Sequence, residues 1–156
     1  MEQNSTANGR RTAFHGVPWE EAYGYPQAIL SGRSIYVSGQ LSHDSAGQIV
    51  GAAPLGEDGK PKDFSMMEIQ MRTTYANAAK VLAQLGATMD DVVEETVFVL
   101  DMDAAFAVAG NVRREAYGKA MPKCASHIIG VSRLAFPTQL IEIAFRAELP
   151  REKVRP

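Results

Sequence analysis

The chain has 156 residues, 46% hydrophobic and 22% charged, a composition typical of one globular domain with a sizeable core. Its formal net charge of −2 favours neither nucleic acid nor an anionic membrane surface as a partner. A single cysteine excludes an internal disulfide and a multi-cysteine zinc site, and no apolar run approaches the roughly 20 residues that span a bilayer. The polar first residues are untypical of a signal peptide, so we expect a cytoplasmic protein.

The chain is predicted to contain one folded unit between two short terminal segments. Residues 1–12 offer little apolar surface to bury, so we expect a flexible N-terminal arm there. A single domain is predicted over residues 13–150, and residues 151–156 are a C-terminal tail. Within the domain, residues 44–63 are rich in Gly, Pro and Asp and are predicted to form a long connecting loop.

Residues 27–40 are predicted to form two short strands that turn at Ser31 and Gly32. Side chains alternate between the two faces of a strand, so the second strand should present two sets of residues. One face should carry Ile35, Val37 and Gly39, and the other Tyr36 and Ser38.

A long helix is predicted after the loop. Ser65 and Glu68 have the spacing of a capping box at its start, and Gly86 marks its end. Helical spacing joins the apolar residues into one stripe that should face the core. The stripe consists of Met67, Met71, Ala78, Val81, Leu82 and Leu85.

A strand over residues 91–100 and a second helix over residues 101–118 are predicted next. Asp101 or Asp103 should cap this helix, a reading that we prefer to a metal site because Asp is common at helix starts. On the same helix, Arg113 and Arg114 are expected on a solvated face; the alternative is that one of them reaches a neighbouring subunit's ligand.

Two final strands are predicted over residues 125–134 and 139–149. The order β-β-α-β-α-β-β then gives an α+β fold, one sheet with both helices on one face. The last strand is fairly apolar on both sides, so we expect the helix-free face to be buried against other copies of the chain. One side carries Ile141, Ile143, Phe145 and Ala147, and the other carries Leu140, Glu142 and Ala144.

Cys124 and His127 are an unpromising site, although they lie close together in the sequence. Residues three apart on a strand point to opposite faces, so the two side chains cannot converge on one metal ion or substrate. We therefore interpret Cys124 as an unreactive buried thiol, and no metal site is expected.

Glu142 is the carboxylate that stands out, because it lies between apolar neighbours inside a predicted central strand. A buried ionised carboxylate needs compensating partners. It can be a structural acid held by backbone N–H groups, or an acid in a cleft with a raised pKa that holds a water molecule or transfers a proton. Nearby in the predicted sheet, Ser38 and Gly39 could present a hydroxyl and a backbone N–H to a ligand.

Three stretches in series resemble the RidA/YjgF family of small trimeric proteins. They are "GYPQAILSGRSIYVSGQLSHDSAGQIVG", "NAAKVLAQLGATMDDVVEETVFVLDM" and "RLAFPTQLIEIAFRAEL", which together span most of residues 24–149. The resemblance implies a chorismate-mutase-like fold. It also implies a homotrimer in which three sheets form a central barrel with a ligand cleft at each subunit interface.

The resemblance also implies a chemistry, because active deaminases of the family hydrolyse enamines or imines of amino acids without a cofactor. Glu142 matches the acid that positions the attacking water. Tyr25, Ser38 and Gly39 match residues that line the ligand cleft. The second-helix asparagine of the family falls near Gly110 or Asn111, where this chain carries one extra residue.

The departure from the family lies at Ser126. Imine deaminases carry an arginine in a motif like "P-A-R-[ST]" that binds the substrate carboxylate, whereas this chain has "C-A-S-H". Losing such a bidentate contact typically costs a hundredfold or more in binding. We therefore expect a substrate other than simple 2-imino acids, unless another cation substitutes for the arginine. The candidates are Lys123, Arg113, Arg114 and Arg133.

The leading functional prediction is cofactor-free hydrolysis of a reactive imine, enamine or related small metabolite in an interface cleft. A non-catalytic small-ligand-binding trimer is the alternative. An endoribonuclease is less favoured, because the chain has no basic stripe and no nucleic-acid partner is expected. The expected partners are a small-molecule ligand and two further copies of the chain.

Overall fold

The structure is a computed structural model that describes residues 9–154. Six strands form one sheet in the order β1-β2-β3-β6-β4-β5, and every neighbouring pair is antiparallel except β4 with β5. The strands are β1 (Arg11–Ala13), β2 (Ala28–Ser31), β3 (Ser34–Gln40), β4 (Val92–Val99), β5 (Ala125–Gly130) and β6 (Ile141–Glu148). The prediction of an α+β fold is confirmed.

Three α-helices accompany the sheet, and the two long ones pack on the same face of it. They are α1 (Pro18–Tyr23), α2 (Met67–Gln84) and α3 (Met102–Tyr117). Helix α2 contacts β3 and β6, and α3 packs against α2. Every residue of the predicted α2 stripe is buried in the core. Within the described part of the chain, no helix is both long enough and apolar enough to cross a membrane.

The N-terminal segment differs from the prediction. Arg11 and Thr12 belong to β1, which pairs with β2, so the expected arm over residues 1–12 is too long. Residues 1–8, the rest of that arm, lie outside the described residues. At the other end, residues 151–153 form a short 3-10 turn, and the Lys153 ammonium lies 2.8 Å from an Asp91 carboxylate oxygen.

The predicted capping box of α2 is wrong. Met66 is the N-cap residue of the helix and makes no side-chain capping bond. The Ser65 hydroxyl instead donates to Asp63, 2.6 Å away, and is therefore held in the preceding turn. The prediction for α3 is confirmed in its first alternative, because an Asp101 carboxylate oxygen accepts from the Ala104 N–H at 2.8 Å.

The register of β6 defines the two faces of the sheet. Its alternate residues Ile141, Ile143 and Phe145 share one side, as predicted, and that side is buried against the helices. Glu142 and Ala144 alternate with them and lie on the helix-free face. The other residues of this face that are not fully buried come from the neighbouring strands. They include Tyr36 on β3, Thr96 and Phe98 on β4, and His127 and Ile129 on β5.

Candidate functional site

Glu142 lies on the helix-free face between two completely buried neighbours, Ile141 and Ile143. Phe98 of β4 lies opposite it in the sheet, so one flank of the carboxylate is apolar. Burial raises the pKa of Glu142, and the side chain of Gln139 opposes this shift. Such a carboxyl exchanges a proton more readily near neutral pH than an exposed one.

Gly39 lies against the Glu142 carboxyl group because β3 is bulged there. Val37 pairs with Phe145 and Gln40 pairs with Ile143, so two residues of β3 lie opposite the single Ala144 of β6. A Cβ atom on Gly39 would lie 2.6 Å from Cδ of Glu142. The prediction that Gly39 shares a face with Ile35 and Val37 is therefore wrong. The extra residue in the bulge turns Gly39 toward the face that carries Glu142.

Tyr25 and Ser38 complete this side of the site. The Ser38 hydroxyl donates to the Pro26 carbonyl oxygen at 2.9 Å, which fixes its position beside Gly39. Burial raises the pKa of Tyr25, and the nearby charge of Glu142 raises it further. Four of the predicted residues thus gather on one part of the molecule. They are Tyr25, Ser38, Gly39 and Glu142.

Ser126 lies on the opposite, helix-covered face. It pairs with Glu95 in the sheet, and Glu95 pairs with Phe145, whose side chain packs toward the helices. Asn111 is an exposed residue of α3 on this same side. A single chain therefore does not bring Ser126 or Asn111 to Glu142.

Glu95, which the sequence reasoning missed, is the centre of a polar cluster on the helix side. It is completely buried, and its carboxylate accepts hydrogen bonds from four side chains. Tyr75 and Tyr117 donate to Oε2 at 3.0 and 2.7 Å, Ser126 donates to Oε1 at 2.8 Å, and the Arg113 Nε–H also donates to Oε1. The signal was available: on the predicted strand, position 95 shares the face of Val97 and Val99.

Arg113 is not on a solvated face, contrary to the main expectation. Its guanidinium pairs with Glu95, donates to the Cys124 carbonyl oxygen at 3.0 Å and lies 5.2 Å from the centre of the Tyr117 ring. Burial alone would lower the pKa of Arg113, but the hydrogen bond and charge of Glu95 raise it overall. The arginine nearest to Ser126 is therefore already neutralised by an internal carboxylate.

None of the other three candidate cations lines the cavity that contains Ser126. Arg114 is exposed and donates to the Ala120 carbonyl oxygen at 3.3 Å, while Arg133 lines a separate cavity with Lys60. Lys123 is an exposed residue immediately before Cys124.

Cys124 and His127 form no site in the described residues. Burial raises the pKa of the Cys124 thiol, whose Sγ lies 3.4 Å from the Tyr117 hydroxyl, as expected for an unreactive group. His127 is exposed on the other face of β5. Among residues 9–154, no group of three or more His, Cys, Asp or Glu side chains could hold a metal ion.

Comparison with known proteins gives a consistent assignment. A family model described as "Endoribonuclease L-PSP" matches residues 19–149. The chain is 32% identical over 111 residues to a RutC family protein of Pyrococcus horikoshii, covering 70% of this chain and 75% of that protein. It is 34% identical over 112 residues to the RutC family protein YjgH of Escherichia coli, covering 71% and 73%.

Solved structures agree with the sequence comparisons. Rv2704 of Mycobacterium tuberculosis, described as a member of the YjgF/YER057c/UK114 family, is 26% identical with a TM-score of 0.69, covering 90% of this chain and 99% of that one. A structure of the protein YjgH is 27% identical with a TM-score of 0.71, covering 91% and 98%. YyfA of Yersinia pestis, described as a Rid family protein of unknown function, is 28% identical with a TM-score of 0.64, covering 80% and 87%.

The mixed sheet, with long helices on one face and a half-buried acid on the other, defines a chorismate-mutase-like α+β protein. Within that class, the chain belongs to the RidA/YjgF family, and a general Rid-type function follows from that membership.

Proposed function

We propose that this chain is a cofactor-independent hydrolase that deaminates a reactive imine, enamine or related small metabolite. The observation that carries the proposal is the setting of Glu142, a half-buried carboxyl with a raised pKa, packed against a bulge at Gly39. Hydrolysis of a C=N bond requires an oriented water molecule and a group that accepts and returns a proton. One carboxyl can supply both.

In the proposed reaction, Glu142 holds a water molecule and accepts its proton as the oxygen bonds to the imine carbon. The substrate enters as an iminium, with its nitrogen already protonated, so addition of the water oxygen gives a neutral tetrahedral carbinolamine. Glu142 returns the water proton to the nitrogen and then accepts the hydroxyl proton as the C–N bond breaks, so a carbonyl compound and ammonia leave and Glu142 releases its proton to solvent. Tyr25 and Ser38 line the site, and the Gly39 backbone N–H contacts the ligand.

We further propose that the active form is a homotrimer built on the helix-free face. Tyr36 is 48% exposed and Ile129 is 44% exposed on this face, a high exposure for large apolar side chains. Arg146 and Glu94 lie among them and offer complementary charges. In such an assembly Ser126 and Asn111 would reach the Glu142 cleft of a neighbouring subunit.

A competition assay tests the substrate class. An amino-acid oxidase generates a 2-imino acid in situ, and semicarbazide traps whatever imine the protein does not hydrolyse. Because Ser126 replaces the carboxylate-binding arginine and Arg113 is neutralised, we expect little suppression of trapping compared with a family member that carries the arginine. Full suppression would show that the arginine is dispensable.

Two other functions predict different results. A non-catalytic ligand-binding trimer would bind small ligands saturably and hydrolyse none of them. An endoribonuclease, the description of the matching family model, would cleave RNA after repurification and lose this activity in Glu142 or His127 variants. The net charge of −2 makes RNA binding unfavourable, and we rank this function last.

A further inference from the structure

We infer that the cavity beside Ser126 is a specificity pocket for a small, uncharged, mainly apolar part of the substrate. This inference rests on the proposed function and names its substrate class: carbonyl-derived imines or enamines without a carboxylate at this position.

The cavity has a volume of about 130 Å³ and lies between α2, α3 and the β4–β5 end of the sheet. This size is close to the roughly 150 Å³ at which an apolar protein cavity holds a benzene molecule. It is therefore large enough for a branched alkyl group or a phenyl ring. The apolar part of its lining consists of Met71, Val97, Phe106, Ala109 and Ile128. Phe106 is 64% exposed, so it lies at the mouth.

The polar part of the lining carries no net charge. Tyr75, Glu95, Arg113 and Ser126 all contribute to the cavity wall. The Glu95 carboxylate already accepts from Arg113, Ser126 and two tyrosine hydroxyls, and Arg113 is its ion-pair partner. A carboxylate ligand would lose its hydration without gaining a free cation, and it would lie close to Glu95.

A neutral acceptor, in contrast, suits the same wall. A guanidinium carries five N–H donors. Arg113 uses its Nε–H toward Glu95 and an Nη2 hydrogen toward the Cys124 carbonyl oxygen, which leaves further donors for a ligand. The Ser126 hydroxyl donates its hydrogen to Glu95, and its oxygen keeps lone pairs that can accept a hydrogen bond from a ligand N–H. A C=N or C=O group with an apolar substituent therefore fits both the polar and the apolar lining.

The test compares two ligands that differ only in the group at issue, methyl isobutyl ketone and α-ketoisocaproate, which has a carboxylate in place of a methyl group. Binding is followed by NMR through the labelled methyl groups of Met71 and Ile128, which line the cavity. We expect the ketone to shift both signals and to bind at least about tenfold more tightly than the keto acid. Equal or tighter binding of the keto acid, or no shift with either ligand, would overturn the inference.

Three variants sharpen the test. Ala109→Leu fills the cavity while both residues of the ion pair are kept, and it should abolish ketone binding, whereas Ala107→Leu, an exposed position on the same helix, should not. Glu95→Gln leaves Arg113 without its counter-charge and should reverse the preference toward the keto acid. If Glu95→Gln does not fold, the comparison of Ala109→Leu with Ala107→Leu still tests whether the ketone binds in this cavity.

The outcomes separate this inference from the proposed function. Glu142-dependent turnover without ligand-induced shifts at Met71 and Ile128 would leave the hydrolase standing and remove the specificity pocket. Ketone binding without turnover of any imine would retain the pocket and favour a ligand-binding protein.

Discussion

Gly39 leaves the space that the Glu142 carboxyl group occupies, since a Cβ atom on residue 39 would lie 2.7 Å from Oε2 and 2.6 Å from Cδ of that acid. The contact is across β3 and β6, at a bulge where two residues of one strand face one of the other. The position of the proposed catalytic acid therefore depends on the absence of a side chain on the neighbouring strand.

The first prediction concerns this contact. Gly39→Ala should displace the Glu142 side chain, reducing turnover at least about tenfold because a small misplacement of a catalytic group is costly. Overpacking should also reduce the free energy of unfolding by about 1–3 kcal/mol, measured by urea denaturation. Gly130→Ala is the control, because its added Cβ would lie 3.8 Å from Met102 Cε, an ordinary contact. Equal turnover of the two variants would contradict the steric argument.

The second prediction concerns assembly. Ala144→Glu adds a carboxylate to the centre of the helix-free face, two residues from Glu142, and should convert the proposed trimer into monomers. Sedimentation velocity measures the change, with Ala107→Glu on the exposed side of α3 as the control. Turnover should fall with the trimer. A wild-type protein that sediments as a monomer would contradict the proposed assembly directly.

The third prediction concerns the buried ion pair. Arg113→Met leaves the completely buried Glu95 carboxylate without its counter-charge and should cost about 3 kcal/mol of unfolding free energy. Adding Glu95→Gln should restore part of this loss, with a coupling energy of roughly 1 kcal/mol or more. Arg114→Met, at an exposed position, should change stability by less than about 0.5 kcal/mol. If the losses of unfolding free energy from Arg113→Met and Glu95→Gln simply add, the two residues do not stabilise the fold as an interacting pair.

The fourth prediction is a pH dependence that arises at His15. Burial lowers its pKa below the ordinary 6.5; a hydrogen bond to Gln40 and the charge of Glu20 oppose the shift, while His43 and Lys80 add to it. The unfolded chain therefore takes up a proton at this residue more readily. The contribution of neutral His15 to the free energy of unfolding is complete above about pH 6.5, the pKa in the unfolded chain. It is lost as the pH falls through the lower pKa that His15 has in the folded protein.

Thermal unfolding at a series of pH values measures this effect. The midpoint of the wild-type protein should fall between about pH 7 and pH 5, and the fall should be smaller in His15→Gln, which keeps a polar group opposite Gln40. Parallel curves for the two proteins would show that His15 does not contribute.

Much of the sheet could be predicted because strand periodicity is local. The alternation along β6 places Glu142 opposite its apolar neighbours whatever the rest of the chain does. The bulge at Gly39 could not be predicted in this way, since it depends on how β3 pairs with a strand more than a hundred residues later. Strand β1, with three residues, is too short for a periodic signal.

The polar cluster shows a similar division. The position of Glu95 on the buried face of β4 could have been predicted from alternation with Val97 and Val99. Its partners could not, because Tyr75, Tyr117 and Arg113 come from two helices whose packing is set by tertiary contacts. For the same reason the sequence indicated that an arginine was missing at Ser126 but did not show that the nearest one was neutralised.

The most direct test of the central claim is the turnover of Glu142→Gln. The wild-type protein, Glu142→Gln and Glu148→Gln are compared on a panel of imines generated in situ, with and without a carboxylate. Glu148 is an exposed acid of the same strand and a matched control. We predict that turnover by Glu142→Gln falls at least about a hundredfold, with unchanged sedimentation, while Glu148→Gln keeps wild-type activity. Glu142→Gln activity within a few-fold of wild type would contradict the proposed mechanism.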